Sequence, residues 1–425
     1  MKIAIIGTGI AGNVAARELC RDHEITVFEA ADHVGGHTHT HSIDDNGRPL
    51  AIDTGFIVFN DWTYPNFSAL LDELGVSSQP SEMSFGVKCE RTGLEYKGHT
   101  LNTLFAQRRN LLRPSFHRML RDIVRFNREA RSLLEAGDDS LTLGDYLHDN
   151  HYSSAFTDYY IIPMGAAIWS AEPRRMLSFP ATCFARFFAN HGLLNIKNRP
   201  QWRVIRGGSR SYVDKLTAPF RQQIRLNTPV TGIRRHATHV EVSSPGNGRE
   251  RFDHVFIACH SDQALAMLRD ASPLEREVLS AIPYQHNDVV LHTDTSLLPR
   301  RRLAWSAWNY HRLAGDQDAV AVTYNMNLLQ GLSTQQTYLV TLNNSAAIDP
   351  DKIIKRLSYD HPVFTQEGIK AQQRQAEING LRRSYFCGAY WRYGFHEDGV
   401  VSALNALAHF REKDSEQQLP LSRAS

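Results

Sequence analysis

Apolar and polar residues near the start of the chain are arranged in an order that predicts a strand, a glycine turn, a helix and a second strand. Residues 3–6 are continuously apolar, which is typical of a strand buried on both faces of a parallel sheet. The turn 7–12 follows, residues 13–22 have a helical spacing of apolar positions, and residues 25–28 are again apolar. This pattern predicts a nucleotide-binding strand–turn–helix–strand unit.

Later patterns predict a second domain inserted into the first. Residues 67–74 favour a helix, and residues 101–134 favour one or two long helices with a break near Pro114. Residues 150–200 are rich in aromatic residues and prolines, which indicates a buried but irregular segment. Further strands are predicted within 240–242, 254–258, 288–292, 319–324 and 337–342, and a last helix ends the stretch 385–410.

These elements predict an α/β protein in which a discontinuous Rossmann-type domain carries an inserted α+β substrate domain. The nucleotide-binding domain is expected to comprise residues 1–60, 202–283 and 380–412, and the substrate domain residues 61–201 and 284–379. Residues 413–425 are polar and are expected to form a flexible tail.

Composition narrows the class of protein. Of 425 residues, 42% are apolar and 22% charged, which excludes wholesale disorder, and a net charge of +2 argues against nucleic-acid binding through bulk charge. No apolar run approaches the roughly 18 residues of a membrane span, and we expect no signal peptide, because residues 1–2 lead directly into the first predicted strand. Five widely spaced cysteines are typical of reduced thiols, so we expect a cytoplasmic protein.

Each part of the glycine turn has its own physical reason. Gly7 permits the tight turn, Gly9 lets a diphosphate approach the backbone, and Gly12 lets the helix pack closely on the strand. The N-terminus of the helix offers unpaired N–H groups and a positive dipole end to the phosphates. Glu29, at the end of the second strand, can accept hydrogen bonds from both hydroxyls of an adenosine ribose.

A double glycine at 35–36 and the absence of a second nucleotide fingerprint favour a flavoprotein with one dinucleotide site. Blocks along nearly the whole chain resemble the superfamily of FAD-dependent amine oxidases, protoporphyrinogen oxidases and phytoene desaturases. These blocks are GTGIAG (7–12), EAADHVGGH (29–37), DTG (53–55), RGGS (206–209), DHVFIAC (253–259) and YFCGAYWRYGFHEDGVVSAL (385–404). The resemblance implies a glutathione-reductase-like FAD-binding domain.

The same resemblance implies which residues bind FAD. They are Gly7, Gly9, Ile10, Ala11, Gly12, Glu29, Ala30, Gly36, His37, Thr38, Thr54, Gly55, Phe56, Val230, Gly388, Ala389, Asp398, Gly399 and Val400. By this likeness the backbone of Val230 holds the adenine, and Gly388 and Ala389 approach the ribityl chain. Asp398 is the ribityl acid, and Gly399 and Val400 present N–H groups to the N1/C2 region of the flavin, where the reduced ring carries negative charge.

A closer resemblance is to bacterial predicted NAD/FAD-binding proteins and to the flavoprotein-like N-terminal part of plant cyclopropane fatty acid synthases. It rests on GGHTHT (35–40), AWSAWNY (304–310), VTYNMNLLQ (322–330) and YGFHEDG (393–399). The resemblance implies chemistry on cyclopropane, methylated or furan fatty acyl chains, with a lipid methyltransferase as a partner.

Two departures from the superfamily pattern matter. The arginine that follows the double glycine is replaced by His37, whose contribution to neutralising a diphosphate is smaller and depends on pH. Many amine oxidases use a lysine near flavin N5, yet no lysine lies between Lys215 and Lys352. Both amine oxidation and fast reaction with oxygen are therefore in doubt.

The catalytic candidates are His396, as an acid–base on the substrate side, and Tyr390. Tyr390, Trp391, Tyr393 and Phe395 either wall an apolar substrate tunnel or form ordinary core.

Two other patterns were weighed for ligand binding. His37, His39 and His41 alternate along the chain, but no Asp, Glu or Cys completes a set, so no metal is expected. Segment 101–134 carries eight arginines interleaved with apolar residues. This pattern is that of either an ordinary surface helix or a basic amphipathic helix at an anionic membrane.

The sequence thus predicts an FAD-dependent oxidoreductase that removes hydrogen from an unsaturated or methyl-branched fatty acyl chain by hydride transfer to flavin N5. One alternative is an oxygen-dependent amine oxidase, and another is a non-catalytic flavin-bound partner of a lipid methyltransferase. A redox-neutral isomerase is a further alternative. The expected location is cytoplasmic, with peripheral membrane contact through residues 101–134.

Overall fold

The structure, a computed structural model, describes residues 1–136, 140–315 and 319–418. Its strands are, in chain order, β1 Lys2–Ile6, β2 Glu24–Phe28, β3 Thr40–Asp45, β4 Arg48–Asp53, β5 Val58–Asn60, β6 Ser78–Pro80, β7 Phe85–Cys89, β8 Leu94–Lys97, β9 Trp202–Ile205, β10 Ile224–Arg225, β11 Gly232–Arg235, β12 Val240–Ser244, β13 Gly248–Phe252, β14 His254–Ile257, β15 Tyr284–His292, β16 Trp308–Arg312, β17 Ala321–Asn325, β18 Leu339–Leu342, β19 Ile353–Pro362 and β20 Ser384–Phe386.

Its α-helices are, in chain order, α1 Ile10–Leu19, α2 Pro65–Glu73, α3 Leu101–Leu104, α4 Pro114–Ala136, α5 Leu143–Asp149, α6 Ser154–Phe156, α7 Ile162–Trp169, α8 Ala181–Asn190, α9 Arg210–Thr217, α10 Ser261–Met267, α11 Pro273–Ser280, α12 Met326–Leu329, α13 Gln366–Gln372, α14 Gln375–Ile378 and α15 His396–Gln418. In the part of the chain that the structure describes, no helix has both the length and the apolar character to cross a bilayer.

A parallel sheet with the strand order β10-β2-β1-β14-β20 forms the base of the nucleotide-binding half. β1 is apolar throughout because both faces of the sheet are covered. Ile3 and Ile5 face the core that α1 and α15 share, whereas Ala4 and Ile6 face the core under the antiparallel sheet β11-β12-β13. The predicted α/β class is confirmed.

The substrate half is built on a mixed sheet with the order β19-β15-β18-β17-β16-β7-β8. Its inner face packs against helices α4 to α8 in one continuous apolar core, to which Phe126, Phe184 and Phe188 contribute fully buried rings. The strands of this sheet come from residues on both sides of the second nucleotide-binding segment, because the chain leaves and re-enters the parallel sheet.

The structure differs from the sequence-based boundaries in three places. α2 packs Phe67, Leu70 and Leu71 into the nucleotide-binding core rather than into the substrate half. Residues 101–112 form two short helical pieces rather than a long helix, and the predicted break near Pro114 is present, because Pro114 begins α4, where the first turn does not use the N–H that proline lacks. The last helix continues to Gln418, beyond the predicted start of a tail, and residues 419–425 lie outside the described residues.

Candidate functional site

The glycine turn lies at the carboxyl ends of β1 and β14, the edge at which parallel sheets bind ligands. Gly7 has φ +100°, and a Cβ there would lie 2.7 Å from the carbonyl oxygen of Ala258. A Cβ on Gly12 would overlap the Gly7 carbonyl oxygen, whereas a Cβ on Gly9 would meet nothing within 4 Å. Packing therefore requires Gly7 and Gly12, while Gly9 leaves open space in front of α1.

Among the residues that the structure describes, no side chain caps the N-terminus of α1. Its N-cap, Gly9, makes no side-chain cap, and no acid lies in the first turn. Ile10 and Ala11 open the helix, so their N–H groups and the positive dipole end face the open space over Gly9. This arrangement fits an anionic diphosphate.

Glu29 lies beside this turn and is fixed by backbone and side-chain donors. Its carboxylate accepts hydrogen bonds from the Thr8 N–H (2.9 Å), the Thr8 hydroxyl and the N–H of Ala31 (2.9 Å), so Ala30 is held in a tight bend. The N–H of Thr228 donates to the Glu29 carbonyl (2.8 Å), which brings the segment ending at Val230 to the same edge. A carboxylate has further lone pairs, so Glu29 can still accept hydrogen bonds from ribose hydroxyls.

The double-glycine loop lies directly on the glycine turn. Gly36 has φ +58°, and a Cβ on it would lie 3.1 Å from the Cα of Gly9. A Cβ on Gly55 would overlap the His37 carbonyl oxygen, to which the Phe56 N–H donates at 2.8 Å. Residues 54–56 therefore pack against the double-glycine loop. The close approaches at Gly36 and Gly55 are possible because glycine has no Cβ.

The N-terminus of α15 reaches the N-terminus of α1. A Cβ on Gly399 would lie 2.6 Å from Cγ2 of Ile10 and 3.8 Å from the backbone nitrogen of Ala11. Val400, next to it, is buried in the core that the two helices share. The two chain ends that were predicted to hold one ligand are thus in contact.

Asp398 and Gly388 are placed by local hydrogen bonds. The Phe395 N–H donates to Oδ2 of Asp398 (2.9 Å), and Arg392 Nε lies 3.7 Å from Oδ1. Burial raises the pKa of Asp398 to about 6. The Gly388 N–H donates to the Ser402 hydroxyl at 2.8 Å, and Ala389 begins the short turn that follows. No contact tests the ribityl roles, which stay predictions.

His37 has a buried ring nitrogen without a partner. No described residue hydrogen-bonds its Nε2, and its ring centroid lies 5.0 Å from that of Tyr359, 5.4 Å from that of His361 and 6.0 Å from that of His260. Burial, together with the neighbouring histidines, holds the pKa of His37 well below its usual range. A neutral imidazole with one unmatched polar atom fits a ligand that hydrogen-bonds at this position.

A buried hydrogen-bond chain joins three distant segments. The hydroxyl of Tyr212 lies 2.7 Å from Oγ1 of Thr38 and 2.6 Å from Nε2 of His396. The His396 ring stacks on Phe56 at 3.7 Å, and burial lowers its pKa to about 3, so the imidazole is neutral. Sequence reasoning missed Tyr212, although the RGGS block three residues before it was a usable signal. The acid–base role of His396 stays a prediction.

Asp53 links two further blocks of the sequence. It is fully buried and accepts hydrogen bonds from the Ser209 N–H (3.0 Å), the Ser209 hydroxyl (2.9 Å) and the Thr40 hydroxyl (2.5 Å). Burial raises its pKa to about 6. Its neighbour Thr54 lies 2.9 Å from the hydroxyl of Tyr359, so the DTG block also connects to the substrate sheet.

An aromatic cluster lies just before α15, formed by Trp169, Phe187, His191, Tyr393 and Phe395. Phe187 is its centre, with ring centroids 5.4 Å from Phe395, 5.7 Å from Tyr393, 3.9 Å from His191 and 4.8 Å from Trp169. Burial lowers the pKa of His191 to about 4, so the cluster is uncharged at neutral pH. The residue after Phe395 is His396, which places this cluster beside the hydrogen-bond chain.

The four aromatics that were expected either to wall one tunnel or to form ordinary core belong to two groups. Tyr393 and Phe395 pack against the substrate core, whereas Tyr390 and Trp391 are buried in the nucleotide-binding core. Within the described residues the hydroxyl of Tyr390 has no hydrogen-bond partner, and burial holds its pKa well above its usual range. This packing gives Tyr390 no link to the aromatic cluster, and its catalytic role stays a prediction.

Of the alternating histidines, His39 contacts His41 and stacks on His33, whereas His37 packs against other rings. The ring centroid of His39 lies 4.0 Å from that of His33 and 4.1 Å from that of His41. Among the described residues, metal-ligand spacing occurs elsewhere, in a hairpin that the sequence analysis did not single out. There, ligand atoms of His236, His239 and Glu241 lie within 4.8 Å of one another.

Comparison with known proteins supports this geometry. The family of flavin-containing amine oxidoreductases matches residues 10–308. AofH of Mycobacterium tuberculosis, a candidate flavin-containing monoamine oxidase, is 26% identical over 340 residues, which cover 76% of this chain and 70% of AofH. An L-amino acid dehydrogenase of Synechocystis is 23% identical over 299 residues, 66% of this chain and 60% of its own.

Two solved structures have the same fold. Cyclohexylamine oxidase from Brevibacterium oxydans superposes with a TM-score of 0.70 at 18% identity, covering 97% of this chain and 99% of its own. A CLA-producing fatty acid isomerase from P. acnes superposes with a TM-score of 0.68 at 17% identity, covering 96% and 98%.

Proposed function

The chain belongs to the family of flavin-containing amine oxidoreductases, and from that premise we propose that it binds FAD and dehydrogenates an unsaturated or methyl-branched fatty acyl chain. As a family member it is a flavin-dependent oxidoreductase. The observation that carries the substrate proposal is the uncharged aromatic cluster beside His396.

The choice of FAD is supported by a candidate site that runs without interruption from the adenosine end, through the glycine turn, to the N-terminus of α15. Glu29 and Val230 would hold the adenosine end, the open space over Gly9 suits a diphosphate, and Gly399, at the N-terminus of α15, would face the flavin end. A bound flavin supplies acceptance of a hydride from an organic substrate. The chain's own residues would hold and orient it, and the N–H groups of two helix termini would stabilise its negative charge.

The choice of an acyl chain is supported by the chemistry of the aromatic cluster. Rings such as Phe187 and Phe395 offer apolar faces, and the neutral His191 adds no charge that would favour an ion. The related fold of a fatty acid isomerase is compatible with such a ligand. His396 and Tyr212 would position a proton at the Nε2 atom, next to this cluster.

Amine oxidation is the second candidate, because the curated relatives include a candidate monoamine oxidase and the fold is shared with cyclohexylamine oxidase. Two lysines weigh against it. Lys215 Nζ donates to the carbonyls of Leu74 (3.2 Å) and Gly75 (2.7 Å), and Lys352 Nζ lies 3.3 Å from Asp294. Both are engaged away from the aromatic cluster.

The test is an anaerobic titration of the flavin-loaded protein with acyl lipids, in which the visible absorption band of the flavin is monitored. We expect unsaturated or methyl-branched acyl lipids to bleach the band, and mass analysis to find acyl chains that have lost two hydrogens. Tyr393→Asp should abolish this reduction because a carboxylate in the cluster opposes an apolar chain. Tyr393→Phe is the matched control and should retain it.

Two outcomes would overturn the acyl proposal. Bleaching by simple amines with none by acyl lipids would favour the second candidate. A bound flavin that neither class reduces, in a protein that co-purifies with a lipid methyltransferase, would indicate the non-catalytic partner instead.

A further inference from the structure

A surface cavity of about 540 Å³ lies beside α4, and its lining consists of three arginines, two histidines, Asp122, Tyr152 and Ser153. Arg118, Arg121 and Arg125 contribute from α4, and His148 and His151 contribute from the end of α5 and the turn after it. Because guanidinium groups match phosphate oxygens in charge and geometry, the lining favours a phosphate-bearing anion.

The arginines of this cavity are of two kinds. Arg125 is held in place, with its guanidinium 3.8 Å from the ring centroid of Tyr152 and its Nε 3.3 Å from Glu129. Arg118 and Arg121 are exposed, and in the described part of the chain no carboxylate forms an ion pair with either. Arg118 and Arg121 are therefore available to bind an external anion next to Arg125, whose position is fixed.

The charge of the surrounding segment is strongly asymmetric. Residues 101–134 contain eight arginines and two acids, a formal charge of +6, whereas the whole chain has +2. The rest of the chain is therefore at −4, and an anionic surface would attract the protein in one orientation.

Exposed leucines lie in the segment that leads into α4. Leu101 is 77% exposed, Leu111 50% and Leu112 88%. The turn Arg108–Leu112 directly precedes the helix, and His117 Nε2 lies 2.8 Å from the Leu111 carbonyl oxygen. Arg118 and Arg121 follow within about 15 Å along the helix, at 1.5 Å per residue.

The structure also limits the hypothesis that residues 101–134 form a basic amphipathic helix at a membrane. The apolar side of α4, with Phe116, Met119 and Phe126, is buried in the substrate core. A membrane can therefore contact only the leucine turn and the arginine side of the helix.

We propose that Leu101, Leu111, Leu112, Arg118 and Arg121, here called the leucine–arginine face, dock on an anionic phospholipid surface. Lipid phosphates would occupy the cavity, and the leucines would enter the headgroup layer. The exposed leucines favour a membrane over an acidic peptide. That the surface delivers acyl substrate rests on the proposed function, whereas docking itself needs no flavin.

The test is co-sedimentation of the full chain with vesicles of phosphatidylcholine alone or with 30% phosphatidylglycerol, at low and high salt. We expect binding only to the anionic vesicles and its loss at high salt. Each arginine near such a surface contributes a factor of about 5, so R118Q/R121Q should bind about 25-fold more weakly. L111S/L112S should weaken binding about tenfold at unchanged charge.

The matched control is R234Q/R249Q, which removes two exposed arginines from β11 and β13. It should bind as the parent does, and an equal loss would overturn the face in favour of bulk charge. Binding of inorganic phosphate or an acidic phosphopeptide without vesicle binding would overturn the membrane as the source of the anion. Flavin content and reduction are measured on the same samples, so a failure of docking is separated from a failure of the proposed function.

Discussion

The N-termini of α1 and α15 meet at the candidate site but are built differently. The first turn of α1 has no acid and no side-chain cap, whereas that of α15 carries Glu397 and Asp398. Glu397 accepts hydrogen bonds from the N–H groups of Asn66 (3.0 Å) and Phe67 (2.8 Å), so it satisfies the start of α2. A bare terminus suits a full diphosphate charge, whereas an acid-flanked terminus suits the smaller charge of a reduced ring.

The largest expected effect comes from breaking the α1 terminus at Gly12. Gly12→Val would place side-chain atoms on the backbone carbonyl of Gly7, which cannot yield, and against the Cβ atom of Ala258. We expect a loss of more than about 3 kcal/mol in the free energy of unfolding, enough to prevent isolation of folded, flavin-bound protein. Urea unfolding and flavin content measure this.

Gly9→Ala is the matched control, since its Cβ meets no protein atom within 4 Å. It should unfold like the parent yet bind FAD about tenfold more weakly, because the methyl group occupies the diphosphate's approach. Unchanged FAD affinity in this variant would contradict the placement of the diphosphate over Gly9.

The next effect is on the pH dependence of the free energy of unfolding. The groups near the double-glycine loop and those at α15 contribute differently to it. Near the double-glycine loop, burial lowers the pKa of His39 to about 3, and of His41 and His361 to about 4. These histidines take up protons only on unfolding, so the free energy of unfolding falls as pH drops from about 6.5 to 4. At α15 the raised pKa of Asp398 acts in the opposite direction and offsets His396.

For the flavin-free protein we therefore expect a net loss of about 3 kcal/mol or more between pH 6.5 and 5, read from urea midpoints. H39Q/H41Q should reduce that loss, and His396→Gln should reduce it by about half as much, because each substitution removes a histidine that takes up a proton only on unfolding. A free energy of unfolding that rises on acidification over this range would show that carboxyl groups with raised pKa values outweigh the histidines.

How far the sequence predicts each terminus follows from the range of the contacts. The α1 turn is predicted because Gly7, Gly9 and Gly12 act on backbone within a few residues of each other. The partners of α15 could not be predicted in this way. Tyr212 meets His396 across 184 residues, and no local pattern indicates that their side chains converge.

Packing explains the other differences from the sequence-based picture. The four aromatics at 390–395 have similar chemistry, so composition alone assigned them to one wall. Tyr390 and Trp391 instead fill the core on one side of the chain, and Tyr393 and Phe395 meet Phe187 on the other. The resemblance of both end blocks to the flavoprotein superfamily nevertheless predicted the contact between the chain ends, because motifs of backbone shape do not depend on such packing.

The smallest expected effect concerns the hydrogen-bond chain at the start of α15. Tyr212→Phe removes the hydroxyl that lies between Thr38 and His396 and leaves both buried polar groups without that partner. We expect the free energy of unfolding to fall by about 1–2 kcal/mol with FAD still bound, since no apolar contact is lost. If the chain positions the His396 proton during turnover, the pH profile of flavin reduction should shift in this variant, whereas Tyr385→Phe, at a buried tyrosine of the nucleotide-binding core, should leave it unchanged. A profile identical to the parent's, alongside the expected loss of stability, would mean that Tyr212 serves only to pack the junction of α9 and α15.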